Sequence, residues 1–289
     1  MQATRRAFSL IELLVAIAVI AVLLALLLPA LSHARKLSYQ VVCANNLRQI
    51  SVGWTSYIQD NKDTFPVILP TKPVGGLSPK PNFPDDHQDD EPAVDPSWSY
   101  GGATFRGSDR TPVLASDRPI NRYLADRFDT QASTSNTQTA SGSSSDPLAH
   151  LFRCPADIGV YERNRTVRGQ SPPSVLPNRG SCFQTYGNSY RANPFLQNAQ
   201  LAGMDDRPRA LKLHEVQVDV SRLLVLGDSA WFYATRPEND PDRPLEASWH
   251  KSTDAGNMLA ADGSVRFSNF GAWPQTSEFA VHPRPDLGR

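Results

Sequence analysis

Charge of one sign is not in excess in this chain. Its 29 Lys and Arg residues are balanced by 29 Asp and Glu, for a formal net charge of zero. No basic stripe marks a nucleic-acid surface, and no nucleic-acid partner is expected. Cysteine is scarce, with three residues, and no two of them form a Cys-x-x-Cys step. The spacing therefore gives no sign of a structural zinc site. A Gly-x-Ser-x-Gly elbow and a Gly-rich phosphate loop with Lys are both missing, and His214-Glu215 lacks the second His of a zinc-protease helix. No catalytic residue is nominated, no cofactor is expected, and the chain is not read as an enzyme.

What the chain has is a long apolar run close to its start. From Phe8 to Leu28 there are 21 residues with Glu12 as the sole charge. As a helix rising about 1.5 Å per residue they reach roughly 31 Å, enough to cross a bilayer's hydrocarbon core. A carboxylate at that depth is unfavourable by about 2.5 to 3.5 kcal/mol on insertion scales, so Glu12 is a functional candidate and calls for a nearby cation. A secretory signal peptide with Ser32-His33-Ala34 as its cleavage site fits less well, because the apolar core is too long and holds an acid.

Beyond Pro29 the pattern changes. Leu37, Val41, Ala44, Leu47, Ile50, Trp54 and Ile58 recur at three- and four-residue steps, which predicts an amphipathic helix continuing the apolar one and packing on a sheet. Together the two would make a rod of roughly 80 Å from Phe8 to about Asp60, bent or locally unwound near Pro29. Asn61-Lys62-Asp63 and Pro66 are its stop signals. The expected division is 1–7 leader, 8–28 transmembrane helix, 29–62 amphipathic continuation, and 63–289 a single β-rich head. With 24 Pro and 17 Gly, turns are frequent and a helix bundle is not expected.

Within the head, two insertions are expected, near 71–96 and 130–147. The first carries Asp85-Asp86-His87-Gln88-Asp89-Asp90-Glu91, whose oxygens could hold calcium, but the spacing departs from the calcium-loop pattern and a solvated acidic loop is the favoured reading. The second, Thr130 to Ser145, has no apolar periodicity. Arg222 to Ser229 reads as a buried strand ending in a turn. Asn257 to Phe267 reads as two strands around an Asp262-Gly263 hairpin. If the head lies outside the cytoplasm, Cys154 and Cys182 could form a disulfide worth roughly 3 kcal/mol in the chain-entropy model, leaving Cys43 unpaired. Three cysteines permit three single pairings, and spacing does not choose among them. Asp228, His250, Asp254 and Asp262 are weak ligand or catalytic candidates against a turn-and-core reading. Trp98, Tyr100, Trp231, Phe232, Tyr233 and Trp249 are read as core rather than a sugar-binding surface.

Arg5-Arg6-Ala7 followed by Phe8-Ser9-Leu10-Ile11-Glu12-Leu13-Leu14-Val15 resembles the type IV pilins and type II secretion pseudopilins. That resemblance implies a prepilin-peptidase cut between Ala7 and Phe8, with Ala7 standing where the family usually has Gly, and methylation of the Phe8 amine. It further implies that Glu12, the fifth mature residue, neutralises a neighbouring subunit's terminal amine during assembly, and that Pro29 matches a proline many pilin helices carry. Cys43-Ala44-Asn45-Asn46-Leu47-Arg48-Gln49-Ile50 with the later Phe65-Pro66 is similar to the helix signature of one pilin-like subgroup. The subgroup's C-terminal step from His to Asp-Gly is also present, with eleven residues between His250 and Asp262 in place of the usual nine.

The implied fold is α+β, a long N-terminal helix on an antiparallel sheet. The implied function is that of a subunit of a type II secretion-like or type IV pilus-like filament, with its amino end cytoplasmic and its head extracytoplasmic. Arg5 and Arg6 favour that orientation, while Arg35 and Lys36 flank the other side, and the resemblance decides between them. Implied partners are the prepilin peptidase and methylase, other pilin-like subunits, the inner-membrane assembly machinery and the membrane. The competing reading is a membrane-tethered binding or hydrolytic domain that uses a pilin-type leader.

Overall fold

The computed structural model describes residues 10–67, 100–103, 105–106, 112–113, 115–125, 150–158, 181–183, 187–200, 202–207, 209–229, 231–232, 248–250, 252–253, 255–270, 278–284 and 286. The acidic stretch 85–91, the run 130–145, Trp98, Tyr233, Asp254, Ala7 and Phe8 lie outside these residues.

Helix α1 spans Leu10–Asp60, 51 residues, and is helical through Pro29, so of the bend or local unwinding expected there the unwinding does not occur. At about 1.5 Å per residue it is roughly 76 Å long. It stops because Lys62 and Asp63 both take positive φ, 55° and 60°, and turn the chain back on itself. The amide of Asp63 donates to the Ile58 carbonyl, and the Asn61 side chain donates to the Tyr57 carbonyl, so the last turn's acceptors are satisfied within the reversal.

The head is built on antiparallel strands. Strands β1 (Phe105–Arg106) and β2 (Pro112–Val113) pair with each other. The main sheet has the order β3-β4-β7-β8, formed by Tyr190–Ala192, Leu224–Asp228, Ala255–Ala260 and Val265–Asn269, and every neighbouring pair is antiparallel. Strands β5 (Ser248–Trp249) and β6 (Ser252–Thr253) form a small hairpin beside it. The molecule is thus α+β, with a long helix packed on an antiparallel sheet.

β4 reads as an almost continuous apolar run because all five of its residues are buried. β7 and β8 close around the expected Asp-Gly turn. Gly263 sits at φ 84°, and the Asp262 carboxylate accepts from the Ser264 amide at 2.8 Å.

The helix meets the head, both the sheet and the segments beside it, through Cys43, Asn46, Leu47, Ile50, Gly53, Trp54 and Ile58, spaced so that they fall on one face. Leu47, Ile50, Trp54 and Ile58 are the expected stripe. Its upper members are not: Leu37 is 47% exposed and Val41 66%. At that height no described strand covers the helix, and where cover begins the buried positions are Cys43 and Asn46. Trp54 packs edge-on against Tyr100, with ring centroids 5.2 Å apart, and Gly53 lets Leu124 approach where a Cβ would sit 2.8 Å from its Cγ. Tyr100, Trp231, Phe232 and Trp249 are all buried, as core residues.

Candidate functional site

Two regions carry the chemistry. The first is the upper part of α1. From Leu10 to Leu31 its large apolar side chains are exposed on every side of the helix, Leu10 by 79% and Leu26 by 69%. This stretch is long and apolar enough to cross a membrane, and none of it is buried by the head. Glu12 lies in its first turn. A face of this extent is not stable in water and marks a contact with lipid or with other apolar helices.

The second region is a polar knot where α1, the sheet and the segment around residue 150 converge. Asn46 is its hub on the helix: its amide group donates to the carbonyls of His150 and Arg153 and to the Tyr190 hydroxyl, at 3.3, 3.2 and 3.1 Å. Three residues earlier, on the same face, Cys43 is disulfide-bonded to Cys154, with Cα atoms 5.4 Å apart.

This corrects the expected Cys154–Cys182 pair. Asn46 holds the 150–153 carbonyls against the helix, which delivers Cys154 to Cys43. Asp157 meanwhile accepts from the Cys182 and Phe183 amides and from the Ser189 hydroxyl, which turns Cys182 toward another wall of the core. There the Cys182 thiol is buried, 3.2 Å from the Ser229 hydroxyl.

Against the disulfide lie Asp228, at the end of β4, and His250, at the tip of the β5–β6 hairpin. Nε2 of His250 is 3.0 Å from Oδ2 of Asp228 and 3.7 Å from Sγ of Cys154. The same carboxylate oxygen accepts from the backbone and side-chain amides of Asn257, at 2.7 and 3.2 Å, and the Asn257 side chain also reaches the Gln40 carbonyl of α1. Gly256 makes the close approach feasible, since a Cβ there would stand 3.1 Å from the Asp228 carboxylate. Both His250 and Asp228 side chains are fully buried. Burial first, and then the Asp228 charge, hold the Tyr190 phenol well above its ordinary value, so it stays a neutral hydroxyl beside Asn46. Ligand atoms of Cys43, Cys154, Asp228 and His250 all lie within 4.8 Å of one another.

Of the four weak ligand candidates, the fold therefore unites Asp228 with His250 and leaves Asp262 apart in the β7–β8 turn, while Asp254 falls outside the described residues. Cys43 and Cys154 belong to the cluster, and chain spacing offered no cue to that. The one local signal was the three-residue step from Cys43 to Asn46, which puts two polar groups on a buried helix face.

Comparison with protein families decides the first region. Residues 3–28 match the family model described as Prokaryotic N-terminal methylation motif. The chain carries a pilin-type methylation leader. The matched stretch contains Ala7, Phe8 and Glu12 and runs into the exposed apolar part of α1. No curated protein and no solved structure matched the chain. A single apolar N-terminal helix behind such a leader fits a single-pass anchor of a pilin-type protein.

Proposed function

We propose that the protein is a pilin-like or pseudopilin subunit, cut by a prepilin peptidase between Ala7 and Phe8, methylated at Phe8, and assembled by helix packing into a type II secretion-like or type IV pilus-like filament. The observation that carries this reading is the methylation motif over residues 3–28, continuous with an apolar helix that its own head leaves uncovered. Before assembly that helix stays in the membrane, and in the filament it packs against its neighbours.

Glu12 sets the register. A carboxylate among apolar side chains is favoured where a neighbouring subunit brings the Phe8 ammonium beside it, and displaced registers lose that pairing. The exposed apolar faces supply contact area without choosing a position. The amino end lies in the cytoplasm and the head outside it, an orientation supported by the Cys43–Cys154 disulfide, since such bonds persist in oxidising compartments. The role is structural rather than enzymatic, and the head selects what the filament meets.

Mass spectrometry of the mature protein tests the reading. The expected amino terminus is methylated Phe8, with residues 1–7 gone. A native protein that keeps Met1, or one clipped after Ala34, overturns it.

A further inference from the structure

We propose that Cys43, Cys154, Asp228 and His250 form a zinc site when the two cysteines are thiols, with the Cys43–Cys154 disulfide as the metal-free alternative. The inference stands apart from the filament reading and rests on the knot between helix and sheet.

The donor set suits the ion. Two thiolates, an imidazole and a carboxylate are ligand types that tetrahedral zinc takes. At zinc–sulfur distances of about 2.3 Å and zinc–nitrogen or zinc–oxygen distances of about 2.0 Å, tetrahedral ligands stand roughly 3.3 to 3.8 Å from each other. Cys154 Sγ to His250 Nε2 is 3.7 Å, and His250 Nε2 to Asp228 Oδ2 is 3.0 Å, so these contacts need adjust by only a few tenths of an ångström. All four atoms already fall within 4.8 Å of one another.

The disulfide form leaves part of this donor set unused. Oδ1 of Asp228 is buried with no hydrogen-bond partner among the described residues, so the carboxylate has an oxygen left over while Oδ2 holds the Asn257 amides. His250 is itself unusual. It occupies the first turn position of a two-residue hairpin at φ 54°, where exposed Asn or Gly is the common choice, yet only 3% of it is exposed. The His250 side chain is turned inward, and its imidazole meets Cys154 of the disulfide.

Asn257 supplies the supporting contacts, donating two N–H groups to Oδ2 of Asp228. Two thiolates and a carboxylate bring three negative charges against the ion's two, and those donors spread the remainder. The two occupancies exclude each other, because sulfurs joined in a disulfide have no thiolate to offer. Converting one to the other takes two electrons: a phosphine reductant cleaves the S–S bond, leaves as its oxide with an oxygen from water, and yields two thiols whose protons depart as zinc binds. With all four ligands buried, the ion enters as the chain folds around it.

The test is to refold the full chain in detergent, without oxygen and with a phosphine reductant, in the presence of cobalt or zinc ions alone. One cobalt per chain is expected, with a thiolate-to-cobalt charge-transfer band and tetrahedral visible absorption, both erased by zinc. His250→Ala and Asp228→Asn should each weaken cobalt binding by at least about tenfold, the least that loss of even a supporting partner costs. Cys182→Ser should leave binding unchanged. Because a variant can fail to fold, zinc-edge X-ray absorption on the wild-type chain gives an independent reading: two sulfurs and two nitrogen or oxygen neighbours. No charge-transfer band, a band indifferent to both the His250 and Asp228 changes, a band lost with Cys182, or a zinc shell without two sulfurs would each overturn the site.

Discussion

One helix lives in two environments, and the contrast shows how a single element divides its labour. From Leu10 to Leu31 the sequence of α1 is apolar around the whole circumference and none of it is buried among the described residues. From Cys43 to Ile58 it is amphipathic, and one face is sealed by the head. A helix apolar all round needs lipid or other helices, whereas an amphipathic one finishes its own domain. Changes in the upper half should therefore affect assembly and leave the head's stability alone, and changes in the lower half should do the reverse.

The sharpest break of that division is at Glu12. Glu12→Ala removes the one charge from an apolar run, so membrane insertion should persist or improve while incorporation into filaments is lost. Fractionation and recovery of sheared filaments measure the two outcomes separately. Filaments of normal yield would sink the register role.

The lower half should respond through stability. Trp54→Ala opens a cavity beside Tyr100 and Phe65 and is expected to cost about 3 to 5 kcal/mol. The same kind of truncation at Leu24, 51% exposed, should leave the head's denaturation midpoint where it is. Chemical denaturation followed by tryptophan fluorescence compares the two. An equal loss at both sites would mean that the upper helix is folded against the head after all.

Smaller, and dependent on redox conditions, is the effect of Cys43→Ser. The disulfide closes a loop with a sequence separation of 111 residues, and the chain-entropy model assigns such a loop about 5 kcal/mol, of which disulfides commonly deliver about 2 to 4. Wild type should lose that margin on reduction without metal, and the variant should be indifferent to reductant. If Cys182→Ser behaved in that way instead, the pairing would be wrong.

What could be read from the residues follows from how local the governing physics is. The leader, the apolar run and Glu12 are contiguous, and so were legible. The β7–β8 turn was equally plain, because Asp262, Gly263 and Ser264 settle it among themselves. The phase of the lower stripe was half legible. Leu37 and Val41 keep the period but stand above the sheet, and periodicity does not say where cover begins. The knot was hidden for a different reason. Cys43, Cys154, Asp228 and His250 come from a helix, a loop, a strand end and a hairpin tip, so no spacing rule joins them. Only the sheet register, which puts Asp228 opposite Tyr190 and within reach of Asn257, gathers them under the helix.

The mildest expected effect lies far from either half of the helix, and it checks that head stability can be moved without touching assembly. Arg209 grips Glu215 through both carboxylate oxygens, at 2.6 and 2.9 Å, and the Lys212 amide adds a third donor at 2.7 Å. The guanidinium's hydrogen bonds first, and then that backbone amide, hold the Glu215 carboxyl below its usual range. A depressed folded value means that the unfolded chain binds the proton more readily. The contribution is therefore complete above the unfolded value of about 4.3 and drains away as pH falls through the folded one. Since the pair is partly exposed, its worth is modest. Burial also pushes the His282 imidazole down, so wild type weakens from about pH 6.5 as well, and the difference between wild type and Glu215→Gln isolates the carboxylate. Urea denaturation at pH 7, 5 and 3 should show a constant gap between the two proteins at the first two values and a narrowed one at the third. A gap that stays constant to pH 3 would mean that the ion pair contributes through shape alone.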